Sequence, residues 1–158
     1  MVKEESSYKK ILVAIDGSST STLAATHAIH LARKEDAELT VVNVVEDVKQ
    51  GGAIGLRAKY GDVKLVEAFQ KAKTESAGKL LSPIVESGRQ GGVITKSEIL
   101  FDTGKSEAGV IAEYAQKNRF DLIVVGSRGT SKLKGLLVGS VTNKLVNLAK
   151  CPVLVVPS

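Results

Sequence analysis

The sequence predicts an α/β domain built on one parallel sheet with helices on both faces. Three observations carry this expectation. Short apolar runs such as ILVAI at 11–15 and LIVV at 122–125 are too short for stable helices and suit strands buried on both sides. Segments with helical spacing separate these runs. The two types alternate along the whole chain, which implies parallel strands joined by right-handed crossovers.

The first strand is Lys9–Asp16, KKILVAID. Gly17-Ser18-Ser19 then offers a turn and a helix cap. Residues 19–35 place Leu23, Ala24, Ala28, Leu31 and Ala32 on one helical face. Glu38–Val45 is a second, β-branched strand. Residues 46–62 carry four glycines without a period and read as a mobile loop. Helical spacing returns at 63–87 with Leu65, Phe69, Ala72, Leu80 and Ile84, where Gly78 and Pro83 weaken or bend the helix. Gly88–Gly92 reads as a breaker.

Val93–Phe101 is a third strand, less apolar than the others and so expected at a sheet edge. Thr103–Ser106 opens a helix carrying Ala108, Ile111, Ala112 and Ala115 on one face. Asp121–Val125 is the fourth strand, Gly126–Val138 a glycine- and lysine-bearing loop, and 139–149 a helix with Val141, Leu145 and Leu148 inward. Pro152–Pro157, PVLVVP, closes the chain as a fifth strand.

Composition narrows the function. At 158 residues, with no internal repeat and no linker, the chain reads as a single domain over 1–158 with a short tail at 1–8. Hydrophobic residues at 43% and charged residues at 25% exclude a disordered chain. Tryptophan is absent and Phe and Tyr number three each, too few for a base-stacking surface, so nucleic acid is not the expected partner. No apolar run suits a membrane span, and MVKEESSYKK has no signal-peptide core. One cysteine suits a reducing compartment, so a cytoplasmic protein is expected. The net charge of +5 is local: residues 122–158 hold Arg128, Lys132, Lys134, Lys144 and Lys150 and no acid. That points to an anion site, and a phosphate-bearing small molecule suits it best.

The densest motif lies there. GSRGTSKLKGLLVGSVT, from Gly126 to Thr142, follows a buried strand and leads into a helix. Its glycines permit close backbone approach, successive amides can form an anion-binding concavity, and a helix starting at Gly139-Ser140 offers free amides to phosphate. An ordinary βα loop has the same local signals. Asp16 is likewise either a turn former at a strand end or a functional acid.

Other motifs weigh less. Gly104-Lys105-Ser106 lacks the glycine a P-loop needs at 99, which is Ile99, and reads as a helix start. His27 and His30 have no partner set for a metal, and Cys151 before Pro152 reads as packing.

Three segments in order, KKILVAIDGS, the G-x2-G-x9-G-[ST] pattern after DLIVVGS, and CPVLVVP, resemble the universal stress proteins over about Lys9 to Pro157. The resemblance implies a doubly wound five-stranded sheet of order 3-2-1-4-5, adenine nucleotide alpha hydrolase-like, reversing between strands 1 and 4. Asp16 and Gly126 would then flank the switch point. It further implies the ATP-binding branch, whose glycine positions are all kept. Gly126, Gly129, Gly139 and Ser140 would hold phosphates and ribose, with Val125 and Val141 lining the cleft. Arg128 lies in the same loop at a position that varies in the family. Asp16 would meet the ribose or a bound metal, with Mg as the expected ion. Ala14 would lie beside the nucleotide, and the backbone at Val44 would read the adenine edge.

The function so implied is a regulatory stress-response module binding ATP, or ADP or AMP, without efficient catalysis. It would dimerise with a second copy through the edge strand 152–157, unless the N-terminal segment covers that edge. A nucleotide-free dimeric interaction module and a slow ATPase are the alternatives.

Overall fold

The computed structural model describes residues 7–49, 52–128 and 138–158. In chain order the elements are β1 (Lys10–Ala14), α1 (Ser19–Glu35), β2 (Glu38–Glu46), α2 (Gly52–Lys59), α3 (Val63–Gln90), β3 (Thr95–Asp102), α4 (Glu107–Lys117), β4 (Leu122–Gly126), α5 (Ser140–Leu148) and β5 (Val153–Val156). All strand pairs are parallel, and the order is β3-β2-β1-β4-β5. The chain winds outward in one direction from β1 and in the other from β4. The expected switch point therefore lies between their carboxyl ends.

Strand alternation sends side chains to two cores. Ile11, Val13, Leu39, Val41, Leu122 and Val124 pack under the α1 and α3 residues Ala24, Ala28, Leu81 and Val85. Leu12, Val42, Ile123 and Val125 pack under Ala108, Ile111, Ala112, Ala115 and Leu145 of α4 and α5. A central strand buried on both faces has no polar positions to spare, which is why β1 reads as an unbroken apolar run. Alanines on α1 and α4 let those helices approach the sheet closely.

Several expectations need correction. The 46–62 segment holds the helix α2, which packs against α3 and buries Gly55 against the carbonyls of Val48 and Lys49. Glycine content hides a helix whose support is tertiary. The breaker at Gly88 lies inside α3, which runs on to Gln90. Gly88 is there for proximity, because a Cβ would collide with the side chain of Thr95 at the start of β3.

The buried stripe of α3 is Val66, Ala77, Leu81 and Val85, one position on from the expected face; Phe69 is exposed and Leu65, Leu80 and Ile84 are flanking. Pro83 sits on the exposed side within a continuous helical span. Leu23 of α1 and Leu148 of α5 also point outward. Tyr8, assigned to the tail, packs on the α1–α3 core and its amide donates to Glu35 at 3.2 Å.

Candidate functional site

The carboxyl end of β1 is built around a turn. Asp16 Oδ1 accepts from the Ser18 amide at 2.9 Å and from Ser18 Oγ at 2.6 Å. Gly17 between them has φ +85°, a conformation glycine adopts freely. Ser18 then caps α1, its Oγ accepting from the Ser21 amide at 3.2 Å. The turn-forming role of Asp16 is thus real, and both bonds fall on one carboxylate oxygen.

The carboxyl end of β4 lies against the start of α1. Gly126 packs directly on Thr20. The Gly126 carbonyl accepts from Thr142 Oγ1 at 2.7 Å, and the Ser127 amide donates to Val156 O at 2.8 Å. The Gly139 amide donates to Ser127 O at 2.6 Å, drawing the two ends of the 128–138 segment together. Thr20 Oγ1 donates to Arg128 O. Gly139 is the N-cap of α5 and has no side-chain oxygen to offer it, so among the described residues no side chain caps the first-turn amides, the groups that attract an anion at a helix start. Ser140 opens α5 on the exposed side, with Val141 half-buried behind it.

The apolar members of the expected site converge. Ala14, Val44 and Val141 are half-buried against the same core as Val125, at the ends of three adjacent strands and the start of α5. Asn43 Nδ2 donates to Ile15 O at 2.7 Å and ties the β2 and β1 ends together. Gly129, Lys132 and Lys134 lie outside the described residues.

One acid was not anticipated. Glu107, the first residue of α4, is held above the ordinary carboxylate range by burial, then by the carboxylates of Asp16 and Asp102. Its position after the Ser106 cap reads in sequence as a helix-dipole partner, and nothing in the spacing links it to Asp16, far earlier in the chain. Asp102 itself is engaged in a turn, accepting from the Gly104 and Lys105 amides at 3.0 and 2.9 Å. Among the described residues no group of three or more His, Cys, Asp or Glu side chains is placed to hold a metal.

Other readings settle. Ser106 caps α4 through the Gly109 amide at 3.2 Å, so the GKS sequence is a helix start. His27 and His30 are exposed. Burial pushes the Cys151 thiol up, as suits a packed residue. A cleft of about 280 Å³ is lined by Asn43, Val44, Val45 and Glu46 of β2 and by Lys73, Ser76, Ala77 and Leu80 of α3, and is crossed by a Lys73–Glu46 pair at 3.5 Å. It lies at the β2–α3 contact, shares Val44 with the expected site, and reaches Leu80, the side chain nearest Gly17.

The model of the universal stress protein family matches residues 7–157. A universal stress protein of Methanocaldococcus jannaschii is 38% identical over 152 residues, covering 96% of this chain and 84% of its own. The structure of the universal stress protein UspA from Lactobacillus plantarum superposes with a TM-score of 0.81 at 27% identity, covering 96% of this chain and 99% of that one. A universal stress protein from Archaeoglobus fulgidus, in complex with dAMP, shares the fold with a TM-score of 0.63 at 22% identity, over 95% and 98% of the two chains.

Proposed function

This chain belongs to the universal stress protein family, and we propose that it is an adenine-nucleotide-binding regulatory module of the stress response, with ATP as its ligand. In this reading the Val44 backbone meets the adenine edge, Ala14 lies beside the nucleotide, Val125 and Val141 line the cleft, Asp16 meets the ribose or a metal, and Gly126, Gly129, Gly139 and Ser140 hold phosphates and ribose, with Arg128 in the same loop. ADP or AMP would fill the same site with fewer phosphate contacts. Asp16 would be the protein's ligand to Mg, which would neutralise phosphate charge. The single observation that carries this reading is convergence. Ala14 of β1, Val44 of β2, Val125 of β4 and Val141 of α5 border one core, on a parallel sheet whose order reverses between β1 and β4, and such folds take their ligands at that reversal. The dAMP complex of the A. fulgidus relative supports the ligand class.

The protein is a binder rather than an enzyme. Phosphoryl transfer needs a positioned base or water-orienting group together with a metal. Asp16 Oδ1 is already committed to Ser18. The module acts in the cytoplasm as a homodimer joined along β5. Of the two sheet edges, β3 is guarded by Lys96 and Glu98, whereas β5 carries no charge and exposes Leu154.

The test is thermal unfolding of nucleotide-stripped protein with Mg-ATP and, for comparison, Mg-GTP. At about 100 times the dissociation constant, a ligand adds about 2.7 kcal/mol, a rise of roughly 5–10 °C for a domain of this size. A rise with ATP and little with GTP is expected. No rise at several millimolar would leave a nucleotide-free interaction module. Turnover at or above ~1 s⁻¹ would make the protein an enzyme.

A further inference from the structure

Three consecutive carbonyls at the head of the glycine loop are held by three different donors. Gly126 O accepts from Thr142 Oγ1 of α5, Ser127 O from the Gly139 amide at the far end of the loop, and Arg128 O from Thr20 Oγ1 of α1. Ser18 Oγ, which also binds Asp16 Oδ1, stands 3.4 Å from Arg128 O. A carbonyl is the negative end of the peptide dipole. A loop that receives an anion must keep its carbonyls turned away, or they repel the ligand that the amides attract. Thr20 and Thr142 are 5% and 3% exposed, so water does not compete for either hydroxyl. Neither belongs to the glycine pattern.

We propose that Thr20, with Thr142 beside it, is a positioning residue for the start of the anion loop: the two hydroxyls hold the carbonyls of Arg128 and Gly126 toward the protein and so keep their negative ends away from a bound phosphate. The phosphate part rests on the nucleotide reading above, whereas the anchoring rests on the hydrogen bonds alone. Thr20 couples the two halves of the site, because the Asp16–Ser18 turn leads directly into α1, which carries the donor to Arg128.

The experiment compares wild type with Thr20→Val, which keeps the shape and removes the hydroxyl, and Thr20→Ser, which keeps the hydroxyl. One readout is the Mg-ATP dissociation constant by calorimetry. The other is hydrogen exchange at the Gly139 amide in ligand-free protein, which reports its bond to Ser127 O. Loss of the buried bond should weaken Mg-ATP about tenfold and speed Gly139 exchange about tenfold in T20V, with exchange in β1 and β2 unchanged. T20S should restore both. A packing role alone would lower the thermal midpoint of T20V yet leave affinity and Gly139 exchange at wild-type values, which overturns the inference. If the wild type itself binds no Mg-ATP, the nucleotide reading fails. The exchange arm then decides the anchor, upheld by faster exchange in T20V that T20S reverses and overturned by unchanged exchange. Should T20V not fold, Thr142→Val and Thr142→Ser apply the same comparison at Gly126 O.

Discussion

Gly126 lies so close to Thr20 that a Cβ on the glycine would stand 2.8 Å from the Thr20 carbonyl carbon and 2.9 Å from its oxygen. The first glycine of the loop pattern is therefore required by the packing of β4 on α1, whatever it contributes to a ligand. Backbone cannot yield as a flexible side chain would. Gly126→Ala should cost about 1–3 kcal/mol by overpacking, and thermal melting of ligand-free protein checks it. A midpoint equal to wild type would show that the strand end relaxes freely.

Asp16 serves a turn and is proposed to serve a ligand, and two substitutions separate these roles. Asp16→Asn keeps an oxygen for the Ser18 amide and should hold stability within about 0.5 kcal/mol, while Asp16→Ala should lose roughly 1 kcal/mol with the turn's hydrogen bonds. Both should bind Mg-ATP about tenfold more weakly if the charge faces ribose or metal. Wild-type affinity in Asp16→Asn, by calorimetry, would reduce Asp16 to a turn former.

Glu107 makes stability depend on pH in a stated direction. Burial first, then Asp16 and Asp102, raise its carboxyl above the ordinary 4.5, so the folded protein holds this proton more tightly than the unfolded chain does. The contribution is fully present below 4.5 and is lost as pH rises through the folded value. Glu107→Gln removes it. The variant should gain stability relative to wild type as pH rises above 4.5. Urea unfolding across that range measures the gain, and parallel stability curves would rule out a raised Glu107.

Leu154 is 39% exposed on the uncharged β5 edge. Leu154→Lys should convert the proposed dimer to monomer in analytical ultracentrifugation with little change in monomer stability, since an edge charge opposes strand pairing. A dimer that persists would move the interface away from β5.

Much of the fold was legible because its signals are local. Apolar runs bounded by turn residues gave all five strands to within two residues, and a helical repeat marked α1, α3, α4 and α5. The strand order came from the resemblance rather than from the pattern, since hydrophobic spacing says that strands are buried without saying beside which neighbour. The helix α2 escaped because eight residues with two glycines have little intrinsic tendency to coil, and contact with α3 supplies the rest. The face of α3 escaped by one position because Leu65, Phe69 and Ala72 form as regular a stripe as the one the sheet buries.

The site divides along the same line. By itself the sequence determined which chemical groups this protein owns: a strand-end acid at Asp16, a glycine-rich turn from Gly126, and a glycine-capped helix at Ser140. Only the tertiary structure decided that Thr20 reaches Arg128 across 108 positions, that Gly126 has no room for a Cβ, and that Glu107 shares its surroundings with Asp16. Periodicity and turn chemistry act over a few residues, whereas these contacts exist only once parallel pairing has brought the ends of β1 and β4 side by side.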